Sequence, residues 1–123
     1  MLDRRWLNAL LIAACSGAAN ASADCDVDAG RKQFAKCAAC HATDAGIHGA
    51  GPSLAGIMGR TAGSQPGFLF TEALEQADIV WDASTLSAFI ENPGSYVPGN
   101  VMPFGGIRNH EQRRALVCFL ATL

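Results

Sequence analysis

Charge is scarce in this sequence. Only 16% of its residues are Asp, Glu, Lys or Arg, and 9 cations face 11 anions. Nothing gathers those cations into the basic stripe that nucleic acid requires, so nucleic-acid binding is excluded as a function class. Aromatics are few, with a single tyrosine, Tyr96. No run alternates apolar and polar residues long enough to predict a strand. The one cysteine pair at Cys-x-x-Cys spacing has no second pair and no paired histidines to match it, which argues against zinc. What is present is a half-hydrophobic composition with 13 glycines in 123 residues. That describes one compact domain with many turns. A chain this short buries a modest core by itself, so a large apolar cofactor would matter to its stability.

The N-terminus stands apart. Arg4 and Arg5 form a positive patch, an apolar run follows from Trp6 to Ala14, and a small-residue tract ends in Ala21-Ser22-Ala23. This is the layout of a secretory signal peptide cut after Ala23. The apolar run is too short to span a bilayer. The sequence therefore predicts residues 1–23 as a cleaved signal, 24–123 as the mature domain, and an exported, periplasmic location. A competing exit is Ile12-Ala13-Ala14-Cys15, which looks like a lipoprotein box with Ile where Leu is usual. Membrane attachment is expected only if Cys15 is lipidated. Cleavage after Ala23 removes two arginines and one aspartate, making the formal charge of −2 one unit more negative.

The mature chain has no internal repeat and no linker. Four helical segments are predicted. The first covers about Asp26–Lys36, with Val27, Gly30 and Phe34 at i, i+3 and i+7. A short second one covers Thr71–Gln76, capped by Thr71. The third starts at a cap near Asp82 or Ser84, carries Leu86, Phe89 and Ile90, and must stop before Pro93. The fourth starts at Asn109, where Gln112 completes the pattern of a capping box. Between them lie two long irregular stretches, Thr43–Gly67 and Gly94–Arg108. Loops of that length in a small domain are usually functional or wrapped round something.

Cys37-Ala38-Ala39-Cys40-His41 is the attachment sequence for c-type haem. Two thiols three positions apart, on the last turn of a helix, can add to the two vinyl groups on one edge of the porphyrin. The adjacent imidazole then lies under the iron. A thiol–disulfide motif would need a βαβ setting, which is absent. Among the other possible ligands, Met58 reads as a packing residue beside Gly59-Arg60. His48 and His110 read as solvent-exposed. Met102 lies in a Pro/Gly-rich loop with no helical stripe to explain it. A thioether there is a soft, neutral ligand that favours ferrous iron and raises the reduction potential.

Over essentially its whole mature length the chain resembles the class I cytochromes c of the mitochondrial and bacterial c2 type. Gly30 and Phe34 ahead of Cys-x-x-Cys-His carry the resemblance, as do Gly51-Pro52-Ser53-Leu54, Gly59-Arg60, Pro66-Gly67-Phe68 and Trp81. So do the segment from Asn92-Pro93 through Tyr96-Val97-Pro98-Gly99 to Met102, and Leu116, Phe119 and Leu120 near the end. The resemblance implies an all-α fold wrapped round one haem c held through Cys37 and Cys40. It implies His41 and Met102 as axial ligands, with the Pro52 carbonyl fixing the His41 ring. Arg60 and Trp81 would hold a propionate, and Gly30 would let the first and last helices cross closely. Those helices pack together in this family, and both Cys25 and Cys118 would enter an oxidising compartment. A disulfide between them is thus implied, against the alternative of a buried Cys118 and a terminal Cys25 thiol.

The sequence departs from the mitochondrial pattern at several points. Phe70 and Phe89 stand where tyrosines are common, and Leu74 where a polar residue is common, which predicts a drier pocket. Gly94, Ser95 and Val101 stand where the mitochondrial carrier has lysines round the haem edge, with Lys36 the main cation retained. That predicts a less polar docking face. The expected function is one-electron transfer between redox proteins at the exposed haem edge, with no small-molecule substrate. Two other classes remain: a haem subunit of a membrane-attached complex, and a peroxidase-like haem enzyme, which would need an open sixth iron site.

Overall fold

The computed structural model describes residues 25–123. The expected signal segment, its cleavage point and Cys15 lie outside the described residues. Five helices follow one another: α1 (Val27–Phe34), α2 (Glu72–Glu75), α3 (Ala83–Glu91), α4 (Pro93–Tyr96) and α5 (His110–Leu120). Among the described residues there is no strand, only two isolated bridges, His41 with His48 and Thr61 with Val80. None of these helices is long and apolar enough to cross a membrane.

The frame is the crossing of α1 and α5. Gly30 makes it possible: a Cβ there would stand 1.9 Å from the Ala115 carbonyl oxygen and 2.8 Å from the Phe119 Cβ. With no side chain between them the backbones close up. Phe34 then packs on Phe119 with ring centroids 5.1 Å apart, and the Arg31 guanidinium lies 5.0 Å from the Phe119 ring centre. Cys25 and Cys118, whose Cα atoms are 5.5 Å apart, are joined in a disulfide that clasps the same crossing. It closes a loop spanning most of the domain, and by restricting the unfolded chain contributes about 2–4 kcal/mol.

Caps set the helix starts. Asp26 accepts from the Ala29 N–H at 2.8 Å and opens α1. Asp82, not Ser84, caps α3: its carboxylate accepts from the Thr85 N–H while the Thr85 hydroxyl accepts from the Asp82 N–H, both at 2.8 Å. The hydrogen bond from the Thr85 backbone holds the Asp82 carboxyl below its ordinary pKa. Asn109 supplies the capping arm to the Gln112 N–H at 3.0 Å for α5.

Two boundaries differ from expectation. The first helix ends at Phe34 rather than Lys36, because the chain tightens into i to i−3 bonds. Lys36 N–H donates to Gln33 O and Cys37 N–H to Phe34 O. The cysteines therefore sit on turns just beyond the helix, not on its last turn. The segment after Asn92 is also not wholly irregular. Asn92 ends α3, and its side chain accepts from Ser95 N–H to open α4, with Pro93 in the first helical position.

Candidate functional site

Between α3, α5 and the two long loops lies a cavity of ≈ 350 Å³. Cys37, Cys40 and His41 form one wall; Met102, Pro103 and Phe104 also line it. Leu54, Ile57, Leu74, Leu86, Phe89 and Leu116 make the rest predominantly apolar. No carboxylate lines it. Its cations are Lys36 and Arg60.

Each expected site residue faces this one cavity. His41 is reached from α1 through the turns of the motif, with its N–H bonded to Cys37 O at 3.0 Å. Its ring Nδ1 lies 2.7 Å from the Pro52 carbonyl oxygen. A carbonyl only accepts, so Nδ1 carries the proton and Nε2 keeps a free lone pair. The loop holding Pro52 is laced to the motif by Gly51 N–H to Cys40 O and Leu54 N–H to Ala42 O, both 2.9 Å. Gly51 has to be glycine, since a Cβ there would stand 2.4–2.9 Å from three atoms of the His41 ring. Cys37 and Cys40 form no disulfide, and before a group is attached burial pushes the Cys37 thiol pKa up, against a smaller opposing pull from Lys36.

Arg60 does more than the resemblance implies. It donates to the Ala55 carbonyl at 3.1 Å and the Ser53 carbonyl at 3.0 Å, and also bonds Gln65 Oε1. It thereby pins the loop while remaining in the cavity wall. Trp81 is buried, and its backbone pairs with Gly59 and Arg60. Among the described residues its indole N–H has no protein acceptor. Phe89 packs on Trp81 at 5.1 Å and Phe70 on Phe68 at 4.9 Å, so apolar rings occupy both positions that are tyrosine in the mitochondrial pattern.

His48 is a correction. Expected to be solvent-exposed, it is half-buried, with Nδ1 accepting from the Ser53 N–H and Nε2 donating to the Pro66 carbonyl, each at 3.0 Å. Its ring ties the early part of the Thr43–Gly67 loop, which borders the cavity, to the end of that same loop at Pro66. Ser53, fully buried, also donates from its hydroxyl to Asp44 O at 2.7 Å. No periodicity announces such side chain-to-backbone bonds. His110 is exposed at the start of α5 and Met58 packs against the core, as expected.

The donor set tests whether haem fits. A flat, mostly apolar group with two acidic tails needs an apolar slot with cationic or N–H donors at one side. It also needs paired thiols at its edge and a neutral nitrogen and a soft sulfur for its metal. The cavity gathers all of these: apolar walls, Arg60 and the unpartnered Trp81 N–H, Cys37 and Cys40, His41 Nε2 and Met102. Among the described residues no cluster of three or more His, Cys, Asp or Glu offers a different metal site.

Comparison with known proteins agrees with this geometry. The family model described as "Cytochrome c" matches residues 27–123. A cytochrome c of Euglena viridis is 38% identical over 99 residues, covering 80% of this chain and 97% of that one. Cytochrome c2 iso-2 of Magnetospirillum molischianum is 41% identical over 90 residues, covering 73% and 93% respectively. Among solved structures, cytochrome cH from Methylobacterium extorquens superposes with a TM-score of 0.75 at 35% identity. It covers 80% of this chain and 99% of that one.

Proposed function

The chain belongs to the cytochrome c family, an electron carrier with one haem c covalently attached through Cys37 and Cys40; from that premise we propose that it is an exported carrier with His41 and Met102 as axial ligands. The observation that supports the proposal is that His41 and Met102 both line one apolar cavity. His41 is locked by Pro52 in the tautomer that frees Nε2, and Met102 lies in the loop that also lines it. The bound group supplies an iron that cycles between ferrous and ferric forms.

The rest is the work of this chain. His41 donates its Nδ1 proton to Pro52 and so holds a neutral nitrogen toward the cavity in both redox states. Met102 contributes a sulfur that needs no proton change. The apolar walls exclude water and disfavour the extra charge of the oxidised state. Arg60, where it is not committed to Ser53 and Ala55, and the Trp81 N–H offer partners to acidic groups. Held by both His41 and Met102, the iron would have no position left for a substrate, which would separate a carrier from a haem enzyme. Export rests on the charged, apolar and small-residue tracts of residues 1–23.

Docking is proposed at the cavity mouth, where Leu69 and Val101 are 91% and 75% exposed. Lys36, an exposed cation among the cavity's lining residues, is tied to Gln33 Oε1 at 2.8 Å. A partner with an uncharged surface fits this rim better than an acidic one. The test is oxidation of the reduced protein by two one-electron acceptors of opposite charge, ferricyanide and tris(phenanthroline)cobalt(III). Both are expected to react rapidly, with rates that change little with added salt. Slow reaction with both contradicts the carrier, and a steep fall with salt for the anionic complex contradicts the uncharged rim.

A further inference from the structure

Asn100 was not among the expected functional residues, and its side chain makes three hydrogen bonds within the segment that carries Met102. Its Nδ2 donates to the carbonyls of Pro93 and Val97, both at 2.7 Å. Its Oδ1 accepts from the Met102 N–H at 3.1 Å. The orientation of the amide is forced, because two carbonyls can only accept and an N–H can only donate. One planar group thus gives a second donor to the carbonyls of Pro93, at the start of α4, and Val97, just past its end, and fixes the amide of the next methionine.

The surroundings make this bond decisive. Upstream, Pro93 is fully buried and anchors α4. Val97 N–H donates to Pro93 O at 3.0 Å, and Asn100 N–H to Val97 O at 3.1 Å. Downstream, Ile107 N–H donates to Ile90 O at 2.9 Å, and the buried Arg113 holds the Ile107 and Arg108 carbonyls at 3.0 and 2.7 Å. Gly106 passes so close to α3 that a Cβ would stand 2.2 Å from the Glu91 carbonyl oxygen. The loop is therefore pinned at both ends. Within it, Pro103 has no N–H to offer, so the Met102 amide is the donor nearest the ligand sulfur.

We propose that Asn100 is a positioning residue that holds Met102 on the cavity by clamping its backbone amide to the buried end of α4. The inference rests on Met102 being the axial ligand proposed above. A clamp of this kind sets how readily the sulfur yields to another ligand, since loop opening must break it.

The test uses the haem-loaded full chain and three variants of one property. Asn100→Ala removes donors and acceptor alike. It is expected to bind imidazole about tenfold more tightly than wild type, the cost of one lost hydrogen-bonding unit. Its ferric absorption band from sulfur coordination should weaken, and its Met102 amide should exchange hydrogen faster. Asn100→Asp keeps the acceptor and the shape but turns an oxygen toward two carbonyls. It should behave like the alanine variant at neutral pH and move back toward wild type on acidification, when the carboxyl regains a proton to donate. Asn100→Ser, smaller but still polar, keeps the chain foldable if the others do not fold, and is expected to fall between. Imidazole affinity within about twofold of wild type, with unchanged exchange at Met102, overturns the positioning role. A wild-type protein with no sulfur band overturns the ligand proposal instead, so the two failures are distinct.

Discussion

Haem-loaded Met102→Ala protein is expected to lose its ferric sulfur band, drop in reduction potential and bind carbon monoxide when reduced. The reasoning starts from ligand chemistry. A neutral thioether stabilises ferrous over ferric iron, so removing it favours the oxidised form. The fall should be on the order of hundreds of millivolts, a sizeable part of the roughly 0.8 V over which axial ligands tune haem. The second consequence is steric and coordinative. Met102, Pro103 and Phe104 line the same cavity as His41, and truncating Met102 would leave an open position facing apolar residues. A small neutral gas fits there, whereas the wild-type protein, with both positions filled, should not bind it. Among the described residues the other methionine, Met58, packs against the core and offers no substitute. Potentiometry and a carbon monoxide difference spectrum check both points. An unchanged potential, or no binding, would exclude Met102 as the ligand.

Gly30→Val is expected to have the largest effect on stability. The substituted Cβ would lie 1.9 Å from a carbonyl oxygen of α5. That atom belongs to a helix backbone, which cannot swing aside as a long side chain can. Either α1 and α5 part or the mutant does not close its core. Parting them separates Phe34 from Phe119 and pulls on the Cys25–Cys118 clasp. A cost of about 3 kcal/mol, the upper end for overpacking, is a large share of a total of about 5–15 kcal/mol. In a domain this size it should lower the melting temperature by at least about 10 °C. Thermal denaturation of the haem-loaded variant measures it. A shift under about 3 °C would mean that the crossing tolerates a side chain and is not the frame of the fold.

Local signals in the sequence were sufficient for much of this. The caps at Thr71, Asp82 and Asn109 start helices because their side chains reach N–H groups three residues on, a strictly local event. Asn92-Pro93 stopped α3 where expected. The same pair opened α4, because a cap followed by proline is a start as well as a stop. The attachment motif was legible because its chemistry lies in five consecutive residues.

The polar braces of the long loops were not legible. Arg60 to Ser53, His48 to Pro66 and Asn100 to Pro93 join a side chain to a partner between 7 and 18 residues away. Such bonds follow from where the folded loops happen to meet, and they leave no period in the sequence. Their effect is nonetheless on the site itself. The braces fix the loops that carry Pro52 and Met102, so the cavity is shaped by polar contacts behind its apolar lining.

The central claim is a sealed His41/Met102 iron that passes one electron at a time. It is tested most directly by a potentiometric titration of the purified haem-loaded protein, followed by its absorption spectrum. A single reversible one-electron transition is expected. The sulfur-coordination band should be present when the protein is oxidised and absent when it is reduced. A ferric protein lacking that band, or one whose iron takes up water in either redox state, would contradict it.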